Sequence, residues 1–218
     1  MTLDNQEIKD NALGEIVLFN LLGKLLYKEP TFDEIQVLLD NTVFDALPFG
    51  GEHPESQEGL SILQTWQREN TAGLSAEVLD TLKTDFLYLF LGVGAPLATI
   101  WESVYFSQTR SLFGAETLQV RSWYSHYGLV IDNKGSEPDD HLGLELLFIS
   151  HLARLSFEAL EASDRKRYEG LRAAKQQFIA EHPMRWAEQW KDEVLKNARA
   201  DFYKGIALLV VGALKDAC

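Results

Sequence analysis

An all-α fold is what the sequence predicts, on three observations. Apolar residues recur at helical spacing over most of the 218 residues. The breakers Pro30, Gly92, Gly94 and Pro96 stand between the periodic stretches rather than within them. The β-branched and aromatic run 99–106 (Thr-Ile-Trp-Glu-Ser-Val-Tyr-Phe) is extended or helical, and an all-helical context leaves an isolated strand without a partner.

The elements follow in order. Ile16, Phe19, Asn20, Gly23, Leu26 and Tyr27 share one face of a first helix, widened by Leu13, Leu18, Leu22 and Leu25 and stopped by Pro30. Thr31 caps a short second helix through Asp40, with Glu34 in the reciprocal capping position. Pro48, Gly50, Gly51 and Pro54 make 47–58 a loop. Helices are expected over 59–70 and, from the N-cap candidate Ser75, over 75–91, where Gly92, Gly94 and Pro96 end the pattern. Gly92-x-Gly94 is no phosphate loop: it lacks a third glycine and a Gly-Lys-Ser/Thr ending, and a helix C-terminus presents carbonyls. Further helices are expected over 115–127, 137–162, 164–180, 183–197 and 199–215. Pro183 suits a first helical position, and Trp186 and Trp190, four apart, read as core.

Length and a hydrophobic content of 46% suit one domain or two tightly joined halves. The net charge of −13 is uneven. Residues 1–150 hold 8 Lys and Arg against 23 Asp and Glu, whereas residues 151–218 hold 12 against 10. Such acidity disfavours nucleic acid and either attracts cationic partners or keeps the protein dispersed. The longest apolar run, 206–214, is well short of the roughly 20 residues that span a bilayer, so no membrane insertion is expected. The single cysteine, Cys218, excludes an intrachain disulfide, and the acidic start of the chain lacks the pattern of a secretory signal, so a cytoplasmic setting is expected.

The chemistry concentrates in Glu137-Pro138-Asp139-Asp140-His141. Upstream, Gly128, Asp132, Asn133, Lys134, Gly135 and Ser136 are turn residues; downstream, 142–155 is apolar all round, as in a buried helix. Ser136 and Asp139 fit a helix start, where the dipole favours carboxylates. His141 and Glu145, four apart, share a face, and Glu145 is the one carboxylate inside the apolar run. Three readings stay open: a structural ion pair or hydrogen bond, a metal site with Asp140 as third ligand, and acid–base work. No second His or Cys cluster completes a metal site, and no Gly-x-Ser-x-Gly supplies a nucleophile.

Two ordered blocks carry a resemblance. Phe90-Leu91-Gly92 and Pro96 lead into Glu102-Ser103-Val104-Tyr105 and Leu112-Phe113-Gly114, and then, after a helix, into Glu137-Pro138-Asp139-Asp140-His141 and Glu145-Leu146. This order resembles the TorD/DmsD family of cytoplasmic redox-enzyme maturation chaperones over about 10–215, with the diagnostic part in 86–150. The resemblance implies a helical bundle of the family's own type with about nine to ten helices. In it, 1–127 carries the Ser-Val-Tyr block, 128–136 is a hinge, and 137–218 completes one compact domain, as a monomer or a domain-swapped dimer.

The activity implied is binding the twin-arginine signal peptide of a molybdenum-containing oxidoreductase until its cofactor is inserted, without catalysis or a cofactor of the chaperone's own. Ser103 and Tyr105 match the first block, Asp140 and His141 the second. Trp101 departs from the family pattern, since the nearby proline lies back at Pro96. A receptor for paired arginines and an apolar stretch needs carboxylates beside an apolar groove. Glu137, Asp139 and Asp140 beside Trp101, Tyr105, Trp123 and Tyr124 supply both, and Glu102, Ser103, His141 and Glu145 complete the expected leader-binding set. The alternatives are a metal-assisted or nucleotide hydrolase using Asp140, His141 and Glu145, and a helical adaptor for a folded partner.

Overall fold

The long first helix, α1 (Asn5–Tyr27), opens a chain whose described residues are 76% helical. The computed structural model describes residues 5–47, 52–92, 94–109, 111–131 and 137–218. Among these are eleven α-helices and no strand: α1, α2 (Phe32–Asp40), α3 (Val43–Ala46), α4 (Pro54–Asn70), α5 (Ala76–Phe86), α6 (Glu102–Phe106), α7 (Ala115–His126), α8 (Leu142–Glu161), α9 (Arg165–Glu181), α10 (Ala187–Asn197) and α11 (Asp201–Ala217). They fall into two compact units, one of Met1–Tyr27, Trp101–Trp186 and Ala217–Cys218, the other of Lys28–Ile100 and Ala187–Asp216.

The first unit is built on α1 against α8. A Cβ on Gly23 would lie 2.8 Å from the Gly143 carbonyl, and one on Gly143 would lie 2.8 Å from the Gly23 carbonyl, so the two backbones meet where only glycine fits. Leu22 and Leu26 of α1 and Leu142, Leu146, Ile149 and Leu152 of α8 are fully buried around that crossing. The Ser150 hydroxyl donates to the Ile16 carbonyl at 2.9 Å. Against the other side of α8, Phe148 and Phe178 meet edge to face at 4.7 Å, with Tyr124 4.8 Å from Phe148.

In the second unit Thr31 forms the expected capping box: its hydroxyl accepts from the Glu34 amide at 3.3 Å, and Glu34 accepts from the Thr31 amide at 3.1 Å. Ser75 caps α5 by accepting from Val78 at 3.2 Å. The helix expected to run to Leu91 changes hand-hold at Leu87: Leu87–Leu91 is one turn of π-helix, closed by Gly92 N–H to the Leu87 carbonyl. The Tyr88 and Leu89 carbonyls then accept from Leu97 and Ala98 at 3.0 and 2.8 Å, which satisfies groups a wider turn leaves open. Gly59 of α4 meets the Gly205 carbonyl of α11, and Gly212 has no room for a Cβ beside Ser56.

Several boundaries differ from expectation. α4 starts at Pro54, capped by His53, because Pro suits a first helical position as well as a loop. α3 was not anticipated; four residues are too few for periodicity to register. The expected helix 183–197 is a single 3-10 turn, Pro183–Arg185, followed by α10, with Trp186 between them. Trp186 and Trp190 are nonetheless both buried. α8 begins at Leu142 rather than Glu137, since Asp139 and Asp140 are held by other partners. Of the expected hinge 128–136, residues 132–136, Ser136 included, lie outside the described residues; Gly128, at φ +75°, turns the chain out of α7.

Candidate functional site

The site is assembled in the first unit from the turn 137–141, the start of α6, α7 and the end of α9. The run 99–106 resolves into both of its expected states: Trp101 is extended and pairs with His141 in an isolated antiparallel bridge, and Glu102 begins α6. Glu102 N–H donates to the Asp140 carbonyl at 3.0 Å. α6 has no side-chain cap of its own, and Asp140 provides one from across the fold. Its Oδ2 accepts from the Ser103 amide at 2.7 Å and its Oδ1 from the Thr117 hydroxyl at 2.7 Å, so one fully buried carboxylate ties the turn to α6 and α7.

Asp139 is also buried, and its Oδ2 accepts from Arg121 Nε and Nη2 at 2.8 and 2.5 Å, while its carbonyl accepts from Tyr124 Oη at 3.1 Å. The carboxylate raises the Arg121 pKa further. Glu137, half-buried, accepts from the Trp101 indole at 2.8 Å. Burial pushes its pKa up, the indole bond opposes that, and the Asp140 charge adds to it.

His141 caps α8: Nδ1 accepts from Gly143 N–H at 3.0 Å, which puts the remaining ring proton on Nε2. Tyr27 and Trp101 stand edge-on to the ring at 5.4 and 5.7 Å. Burial lowers the His141 pKa to about 3, so the ring is neutral. The pairing expected between His141 and Glu145 is not made: the ring turns its Nδ1 to the Gly143 amide, and neither Glu145 oxygen has a hydrogen bond from it.

Glu145 instead faces other acids. Both its oxygens are buried without a hydrogen bond, as are Ser103 Oγ and Trp186 Nε1, although Glu102 and the Trp186 indole lie close by. Burial first, then the Glu102 and Asp140 charges, raise the Glu145 pKa well above its ordinary value. Glu102, fully buried, has His182 Nδ1 at 2.9 Å from Oε2 and Arg185 Nη1 at 3.5 Å from Oε1. Tyr105 lies against Trp186 at 4.9 Å between ring centroids.

The structure thus joins Trp101, Glu102, Ser103, Tyr124, Glu137, Asp139, Asp140 and His141 in one network and sets Glu145 behind it. Trp123 stands apart, on a groove of about 530 Å³ lined by Tyr127, His126, Gln177, Glu181 and His182 among others. Trp123 and Tyr127 are nearly parallel, 6.4 Å apart. His182 connects groove and network, since it lines the one and bonds Glu102 of the other. His182, Arg185, Thr117, Arg121 and Tyr127 were not singled out from the sequence. The signal was a His-Pro-x-Arg-Trp run at a helix junction, where only the proline and tryptophan were read. Among the described residues no group of three His, Cys, Asp or Glu could hold a metal ion, and no helix is long and apolar enough to cross a membrane.

The fold is shared with a solved redox enzyme maturation protein of Archaeoglobus fulgidus, at a TM-score of 0.50 and 18% identity over 88% of each chain. In sequence the chain is 26% identical, over 94% of its length and 91% of the relative, to a Haemophilus influenzae protein named as the Tat proofreading chaperone DmsD. It is 23% identical, over 89% and 88%, to the chaperone protein TorD of Aliivibrio fischeri. These relatives are named as chaperones, and the family is one of maturation proteins rather than of catalytic enzymes. The chain belongs to the nitrate reductase delta subunit family, whose model matches residues 54–192.

Proposed function

We propose that this chaperone binds the twin-arginine leader of a molybdenum-containing oxidoreductase, of the DMSO or TMAO reductase type, and holds it until the cofactor is inserted. The observation that carries the reading is the groove beside Trp123: two parallel aromatic rings for an apolar segment, and the exposed acid Glu181 for a cation. A leader of this kind presents adjacent arginines followed by an apolar stretch, which suits an aromatic groove with carboxylates at its edge. On this reading the half-buried Trp101, Tyr105, Trp123 and Glu137 touch the peptide. Ser103, Tyr124, Asp139, Asp140, His141 and Glu145, all buried, hold the walls in place. The chain then works in the cytoplasm, as a monomer or as a dimer exchanging halves through 128–136.

Calorimetric titration with a synthetic twin-arginine leader, a twin-lysine version and a scrambled control tests it. Saturable binding at about micromolar Kd or tighter, weakened by lysine substitution and by salt, is expected. Trp123→Ala is expected to weaken binding at least ~10-fold, as for a buried aromatic anchor. Failure of several different leaders to bind the wild-type chain overturns the function, and an unchanged Kd for Trp123→Ala overturns the groove.

A further inference from the structure

Among the described residues Arg185 is the arginine in contact with the fully buried Glu102, and it is held in an unusual way. Its guanidinium sits 4.0 Å above the Phe106 ring, donates to the Glu181 carbonyl at 3.3 Å, and reaches Glu102 Oε1 only at 3.5 Å. Charge-assisted bonds of this type are normally 2.7–2.9 Å, roughly, so the guanidinium rests on the site without closing on it. The Arg185 side chain is 40% exposed and Phe106 is 40% exposed, whereas Glu102 is at 0%. A buried carboxylate therefore has one oxygen committed to His182, while the other is approached at 3.5 Å by a partly exposed guanidinium.

The remaining elements suit a guanidinium and little else. A flat cation stacks on an aromatic face, and the carbonyls at the end of α9 carry the negative end of the helix dipole. Glu145, close to both Glu102 and the Trp186 indole, is fully buried, so the floor of the site is polar.

We propose that the Phe106 ring, the Glu102 carboxylate and the Glu181 carbonyl form a guanidinium-binding site that Arg185 fills as a placeholder, and that an arginine of the bound peptide displaces it. The identity of the incoming arginine rests on the leader-binding reading; the site itself does not. Arg185 then sets specificity by competition, since a lysine cannot reproduce the stacked, forked contact it would have to replace.

Two titrations test this on the 218-residue chain. In the first, N-methylguanidinium is added at millimolar concentration, far below denaturing levels, while the Phe106 ring and Trp186 indole resonances are followed by NMR. Saturable shifts are expected for Arg185→Ala, at least ~5-fold weaker affinity for wild type, and loss in Arg185→Ala combined with Phe106→Leu, a surface change that spares the buried Glu102. Equal or non-saturating responses in all three overturn the site. In the second, the twin-arginine leader is expected to bind Arg185→Ala at least ~3-fold tighter than wild type, with no gain for the twin-lysine leader. A leader that binds wild type and gains nothing from Arg185→Ala overturns the placeholder and leaves the proposed function standing. Saturable methylguanidinium binding with no leader binding to either protein does the reverse, supporting the site and removing the function.

Discussion

Replacing Asp140 removes the bond between three pieces of the first unit, and the size of the effect follows from its two acceptors. Ser103 N–H and the Thr117 hydroxyl each donate to the carboxylate at 2.7 Å, and none of the three groups reaches water. A buried donor left without an acceptor costs about 1–3 kcal/mol, so Asp140→Ala, which strands both, is expected to cost about 3–4 kcal/mol. Asp140→Asn is gentler. Its single carbonyl oxygen serves the Ser103 amide, which cannot turn, and its NH2 faces Thr117, whose hydroxyl rotates to accept; the loss is about 1–2 kcal/mol of charge assistance. With a urea m-value of about 3 kcal/mol/M for a chain of this size, the midpoint should fall by about 1 M for Ala and about half that for Asn. Equilibrium urea unfolding followed by circular dichroism and tryptophan fluorescence measures both. A midpoint shift under about 0.2 M for Ala, or an Asn variant as unstable as the Ala variant, would refute the assignment of Asp140 as the cap that ties the turn to α6 and α7.

Three further outcomes are expected. His141 has a folded pKa of about 3 against an ordinary 6.5, so the unfolded chain takes up the proton first; the stability this group contributes is complete above pH 6.5 and is lost as pH falls toward 3. Between pH 7.5 and 5 the loss is about 2 kcal/mol, and His141→Asn, which keeps a capping oxygen, should show a correspondingly flatter melting curve against pH. Glu145 has the opposite sign: its raised pKa contributes stability below the ordinary carboxylate range that is lost as pH rises, so Glu145→Gln, a near match for the protonated acid, should be neutral at pH 4.5 and stabilising at pH 8 in thermal melts. Greater destabilisation at pH 8 than at pH 4.5 would contradict a raised Glu145 pKa. Gly143→Ala places a Cβ 2.8 Å from the Gly23 carbonyl and 3.0 Å from Tyr27 N, so it should cost about 1–3 kcal/mol, and an unchanged denaturation midpoint would show that α1 and α8 can separate freely.

The readable part of this protein was local. Helical periodicity, the Thr31–Glu34 box, the Ser75 cap and the Gly92 stop are decided by contacts within four or five residues, so each was legible in the sequence and each is present. Where one residue serves two local uses, reading failed. Pro54 begins a helix as readily as it interrupts one, and Glu137 to Asp140 look like a helical first turn until their partners are known. The same ambiguity covered Pro183, which opens a single 3-10 turn rather than the long helix expected.

The candidate site divides along the same line. Composition and order in the sequence singled out candidates, the acids and the imidazole beside an apolar helix, and the two motif blocks contained them. Which partner each one takes was decided only in three dimensions. Asp140 finds Ser103 and Thr117, 37 and 23 positions away, His182 finds Glu102 across 80, and His141 turns from Glu145 to the amide two residues on. Sequence spacing carries the geometry of one helix, whereas a buried charge is satisfied by whatever donor the packing brings within about 3 Å, and that choice belongs to the tertiary structure alone.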